Sequence, residues 1–172
     1  MIDKITIYYA EEDINKWKSK SLLKDWKKKY PTLIQDHLFD ILNTRESLNL
    51  YCFGELFTGV FFAKQGYKFL YEPWIENFLL IESKKLTTLQ LRFQDVFIQY
   101  AGKNLFQYIT QVIAKQIKKG QPDLFIYNRK ECFFVEVKKK GDILRPEQKI
   151  FIRELEKYPD PLPIRIVSLV SS

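Results

Sequence analysis

The chain has 172 residues, 46% of them hydrophobic and 16% aromatic, enough to bury one core, and it reads as one domain with an N-terminal extension. Lysine and arginine outnumber aspartate and glutamate 28 to 21, a formal net charge of +7 that favours a polyanionic partner. No apolar run is long enough for a membrane span and no secretory leader is visible, so a soluble, intracellular protein of the cytoplasm is expected. The one histidine, His37, excludes a multi-histidine metal site, and Cys52 and Cys132 give neither a zinc spacing nor a disulfide framework.

In chain order, Lys4 to Tyr9 reads as a short strand that could join a sheet or pair between subunits. Lys16, Lys20, Lys24 and Lys27 or Lys28 then recur at helical spacing with Trp17 and Trp26 interleaved. This predicts a basic helix that either tracks phosphates or is a plain solvated face whose tryptophans pack on the domain. Residues 1–44 form the extension, and 45–172 the main domain. Glu46 to Lys64 has helical spacing, with Leu48, Cys52, Glu55, Gly59 and Phe62 on one side, so Glu55 stands on an otherwise apolar or small face. Gln65-Gly66 ends that helix, and Tyr67 to Tyr71 reads as a strand. Leu86, Leu89, Phe93, Phe97 and Tyr100, then Phe106, Ile109, Ile113 and Ile117, predict two amphipathic helices; Leu86 to Leu91 could also be read as strand. Lys115, Lys118 and Lys119 close the second helix, where positive charge suits a helix C-terminus and an incoming phosphate backbone. Lys139 and Lys140 extend that basic surface beyond the next strands.

The segment Gly120 to Gln148 carries the chemistry. Leu124 to Tyr127 and Cys132 to Val137 are β-branched and aromatic runs around the polar turn Asn128-Arg129-Lys130-Glu131, which predicts an antiparallel hairpin. If Tyr127 faces Cys132, Asp123 falls opposite Glu136, with Cβ atoms roughly 5 Å apart. Two carboxylates at that distance repel. They can share a divalent ion with oxygens at about 2.1 Å for magnesium. Lys138 follows on the same face of the strand, placed to orient or deprotonate a water or to hold charge on a phosphate. The competing reading is a half-exposed strand end with a surface ion pair. Pro146 suits an early helix position, Phe151, Ile152 and Leu155 continue the helix, and Ile164 to Val170 gives a final strand.

These residues resemble a known family. Pro122-Asp123 followed by Glu136-Val137-Lys138 resembles the signature of the PD-(D/E)XK nuclease superfamily. The wider pattern, Gly120-x-Pro122-Asp123-Leu124, Phe134-Val135-Glu136-Val137-Lys138, Asp142-x-Leu144 and Gln148 at a helix start, is similar to its VRR-NUC branch. The resemblance implies an α/β restriction-endonuclease-like core, a central mixed sheet flanked by helices. It also implies a Mg²⁺- or Mn²⁺-dependent deoxyribonuclease in which Asp123 and Glu136 bind the ion, Lys138 assists catalysis and Gln148 supports the site. A further acidic residue is implied on an upstream helix; Glu55 is the candidate and Glu72 its competitor. DNA is the implied substrate, in structured or branched form, in a repair or restriction setting. By analogy a homodimer would supply two sites for two strands. The alternative is a non-catalytic nucleic-acid-binding module, or one subunit of a restriction or repair assembly.

Overall fold

A computed structural model describes residues 2–71, 88–117 and 119–172. The candidates Glu72 and Lys118, and Leu86 of the first inserted helix, lie outside the described residues. Among the described residues the chain forms a five-stranded mixed sheet in the order β1-β5-β4-β3-β2, with helices on both faces. The strands are β1 (Ile2–Tyr9), β2 (Lys68–Tyr71), β3 (Leu124–Tyr127), β4 (Cys132–Lys139) and β5 (Ile164–Ser171). β2, β3 and β4 run antiparallel in turn, and β5 is parallel to both β4 and β1. This is the α/β class with the restriction-endonuclease-like arrangement expected from the sequence.

Alternation along the central strands assigns each side chain to a layer. Leu124, Ile126, Phe133, Val135, Val167 and Leu169 face a core shared with α4 (Phe53–Ala63) and with buried residues of α1 (Glu11–Lys18), α2 (Ser21–Lys29) and α3 (Asp36–Thr44). Phe125, Tyr127, Phe134 and Ile164 face the second core, covered by α5 (Thr88–Ala101), α6 (residues 103–116) and α7 (Pro146–Leu155). All four residues of β3 are buried, which explains their continuous apolar run.

The helix α6 begins at Lys103–Tyr108, passes through a π-helical turn at Ile109–Ile113 and ends at Ala114–Gln116. Its buried residues Leu105, Ile109 and Ile113, with Ile117 just past its end, recur at a strict spacing of four. That spacing outruns the 3.6 residues of an α-helical turn, and the wider π turn keeps them on one side. The residues from Thr88 onward are helical, which removes the strand reading for that part of Leu86 to Leu91.

Two expectations are corrected. The helix predicted over Glu46 to Lys64 starts only at Phe53, because Asn49 and Cys52 adopt left-handed backbone angles, φ 44° and 56°, that an α-helix cannot contain. Cys52 is therefore buried in a turn and not in the helix. Its end is as expected: Gly66, at φ 89°, lets the Gly66 N–H donate to the Ala63 carbonyl and the Tyr67 N–H to the Phe62 carbonyl, the Schellman pattern. The basic helix is the second correction. Lys20 sits at φ 64° between α1 and α2, so the lysines do not form one stripe. Lys16 pairs with Glu12 at 2.7 Å. Lys20 donates to the Asn43 carbonyl, and Lys27 to the Pro31 and Ile34 carbonyls and to Asp36. Trp17 and Trp26 are buried against Phe53 and Phe57. β1 lies in the sheet, beside β5.

Gly120 joins the insert to the hairpin at φ 107°, and a Cβ there would stand 2.7 Å from the backbone of Glu147 at the start of α7. Gly120→Ala should therefore destabilise the fold by clearly more than about 1 kcal/mol, since backbone angle and contact both oppose it. Gly66→Ala, at φ 89° with open space around it, should cost only about 1 kcal/mol from the angle alone. Urea unfolding of the two variants checks the order; equal losses would show that the contact with α7 contributes nothing.

Candidate active site

The site starts from the hairpin register. Tyr127 pairs with Cys132 and Leu124 with Val135, so the residues one step beyond are Asp123 and Glu136, as the turn predicts. The Val137 N–H donates to Asp123 Oδ2 at 2.7 Å, which ties the aspartate to the end of β4. By strand parity Glu136 and Lys138 lie on the side of Phe134, the face covered by α7.

Glu136 is 3% exposed and Gln148 2%. A carboxylate buried that deeply needs partners. Lys138 Nζ lies 2.8 Å from Glu136 Oε1 and donates at 2.8 Å to Gln148 Oε1; Gln148 Nε2 donates to Glu136 Oε1. Gln148 is the third residue of α7, and its Oε1 also accepts the Arg145 N–H at 2.9 Å. That bond satisfies one backbone donor at the helix start, while Pro146 occupies a first-turn position that needs none. One amide thus caps the helix and binds both charged groups of the site. Glycine at position 120 allows the close approach of α7 that this requires.

Burial pushes the Glu136 carboxyl above the usual range, while the Lys138 ammonium, the nearby Arg145 guanidinium and the Gln148 amide oppose the shift. Asp123 is pushed up as well, first by burial, then by the charges of Glu136 and Glu55; the Val137 N–H and Lys138 pull the other way. Burial thus opposes the charge on both carboxylates, and for Asp123 repulsion from Glu136 adds to it. An all-oxygen pair of this kind suits a hard divalent cation, and Asp123 and Glu136 are the residues that could hold one. Among the described residues no three His, Cys, Asp or Glu side chains stand close enough to form a ready three-ligand cluster.

Glu55 approaches from the other layer. Its neighbour Gly54 presses α4 onto the sheet, where a Cβ would stand 3.0 Å from Leu169 and 3.3 Å from Val137. Glu55 itself is half-buried, and its charge acts on Asp123. The candidate phosphate-binding residues Lys115, Lys119, Lys139 and Lys140 are all exposed. Lys139 and Lys140 follow Lys138 directly at the end of β4, whereas Lys115 and Lys119 precede Gly120. Arg145 is absent from the set read from sequence. Its only signal was its position just before Pro146 and the helix that carries Gln148.

A family model described as the VRR-NUC domain matches residues 76–163, slightly more than half of the chain. The chain belongs to the VRR-NUC family. The family is a branch of the PD-(D/E)XK nuclease superfamily, so the functional class is a nuclease-type activity on DNA. The VRR-NUC match contains Asp123, Glu136, Lys138 and Gln148, and leaves out Glu55 and the strands β1, β2 and β5. No curated protein matches the chain.

The electrostatics have a sign that can be measured. A carboxyl whose pKa is raised on folding favours the fold at low pH, and that contribution is lost as pH rises from the unfolded value, about 3.9 for aspartate, through the folded one. Asp123→Asn carries no such charge. In chelator, the variant should gain stability relative to the native chain between pH 5 and pH 8, by more than about 1 kcal/mol, the equivalent of a one-unit shift. Urea unfolding at the two pH values measures this; a difference that stays constant would mean that burial does not penalise the Asp123 charge.

Proposed function

We propose that this VRR-NUC protein is a divalent-metal-dependent endonuclease that hydrolyses phosphodiester bonds in structured DNA. The observation that carries the proposal is half-buried Asp123 held to β4 beside the buried Glu136, with Lys138 between Glu136 and Gln148. A structural ion pair would need only one carboxylate beside the lysine. Here a second carboxylate, Asp123, is held alongside by the Val137 N–H. Asp123 and Glu136 would hold Mg²⁺ or Mn²⁺, with Glu55 as the acidic partner from α4.

The cation, when bound, would neutralise the carboxylates, polarise a phosphoryl oxygen and lower the pKa of water. The chain's own residues supply the rest. The Lys138 ammonium, held beside Glu136 and Gln148, would donate to a phosphate oxygen or, as the neutral amine, accept a proton from the attacking water. Gln148 fixes the lysine's direction through Oε1, so that its proton is delivered from one position. The Val137 N–H holds Asp123 through Oδ2 and fixes the position of the carboxylate that would help to hold the cation.

Cleavage of labelled duplex, flap and junction DNAs with and without Mn²⁺ tests the proposal. Activity should require the ion and disappear in Asp123→Asn. Lys138→Ala should slow single-turnover cleavage by about 10²-fold or more with little change in DNA affinity. Cleavage in excess chelator would overturn the metal role, and a Lys138→Ala protein that cuts normally would leave that lysine structural. DNA binding without cleavage of any substrate would leave the chain a binding module.

Glu55 has its own test. A group that helps to hold the ion adds to the stability that the ion confers. Glu55→Gln should unfold like the native chain in chelator yet gain less from added Mn²⁺. An undiminished metal increment in thermal unfolding would remove Glu55 from the site.

A further inference from the structure

A second feature lies around the end of the sheet from the carboxylates. Where β4, β5 and β1 leave the sheet beneath the first residues of α4, a pocket of about 290 Å³ opens. Its base is apolar: Phe53 and Leu169 are each 3% exposed, and Gly54 keeps α4 close to the strands. The Tyr9 ring forms one wall, edge-on to Phe53 with centroids 5.3 Å apart. Leu50, 42% exposed, stands at the rim on the turn that the left-handed Asn49 and Cys52 create. Lys139 and Lys140 complete the rim, and among the described residues no acidic side chain lines it.

The position of this pocket is informative. Lys139 immediately follows Lys138, and Gly54 immediately precedes Glu55, so the pocket adjoins the candidate active site through both elements that build it. Its volume is at the small end for ligand sites, which start near about 300 Å³; it suits one flat ring system and not a helix or an extended peptide. An aromatic and aliphatic base with cations only at the mouth is the combination that binds single-stranded nucleic acid, where bases stack and phosphates meet lysines.

We propose that this pocket receives the base of one unpaired nucleotide of the DNA substrate, with Lys139 and Lys140 on the flanking phosphates. The proposal deepens the nuclease reading and rests on it: the substrate class is DNA with an unpaired nucleotide next to the scissile bond. Fully paired duplex cannot fill the pocket without extruding a base, which costs unstacking and unpairing energy.

The test uses the full chain in chelator, so that binding is read without cleavage. Affinities are measured for a matched duplex and for the same duplex carrying one unpaired 2-aminopurine nucleotide, whose fluorescence reports stacking. The native chain should bind the second DNA at least about fivefold more tightly and change its fluorescence, the lower end for one stacked base. Ser171→Phe would fill the pocket from β5, and Leu50→Ala would open its rim. Each should reduce the ratio towards one while leaving matched-duplex affinity close to native. Should one variant fail to fold, the other decides. Equal native affinity for both DNAs, or an unchanged ratio in the folded variants, overturns the pocket and leaves the nuclease proposal standing. Failure to bind either DNA overturns both.

Discussion

The structure turns on the cost of keeping Glu136 inside. A carboxylate at 3% exposure is tolerated only where hydrogen bonds and countercharge replace water, and the replacements come from three directions. Lys138 lies two residues along the same strand, Gln148 reaches over from α7, and Arg145 contributes charge from the loop before it. Gln148 can do this only because its oxygen simultaneously caps α7, so the orientation of the helix and the chemistry of the strand are fixed by one amide. Gly120 follows from the same requirement, since a side chain there would drive α7 away from the sheet. The glycine, proline, aspartate, glutamate, lysine and glutamine of the motif are therefore parts of one packing solution as well as candidates for chemistry.

The hairpin and its register were legible because the pleat period of two, combined with a four-residue polar turn, leaves a single pairing that buries Leu124 to Tyr127 and Phe133 to Val135 together. Once Tyr127 meets Cys132, the positions of Asp123, Glu136 and Lys138 follow by counting. Gln148 was legible only through the resemblance to a family, because nothing in a solvated-looking glutamine at a helix start reveals that it turns inward. Arg145 was missed for the same reason: its role depends on which way α7 packs, a long-range fact.

The N-terminal region and the start of α4 were misread for a different cause. Lys20, Asn49 and Cys52 adopt left-handed backbone angles without being glycine, so the usual sequence marker of a break is missing. Periodicity therefore ran straight through them. The tryptophans gave the better signal: Trp17 and Trp26 are large apolar groups that a soluble helix cannot leave bare, and both are in the core. In α6 the sequence reading starts the apolar face at Phe106, whereas the buried residue is Leu105, because the π segment shifts the phase of the helix.

The pairing of β1 with β5 sets a kinetic condition on the molecule. Ile2 lies beside Ile164 and Tyr9 beside Ser171, a join between segments at opposite ends of the sequence. Local contacts can organise the β3–β4 hairpin early, whereas a pairing of this separation must first overcome the entropy of closing a very long loop. Until it does, one edge of β5 stays open, with its backbone N–H and C=O groups unpaired along it, and Tyr9 is not yet beside Phe53. Closure of the sheet, not formation of the hairpin, is then the late step of folding. The carboxylates of the hairpin can meet before the wall that Tyr9 contributes exists.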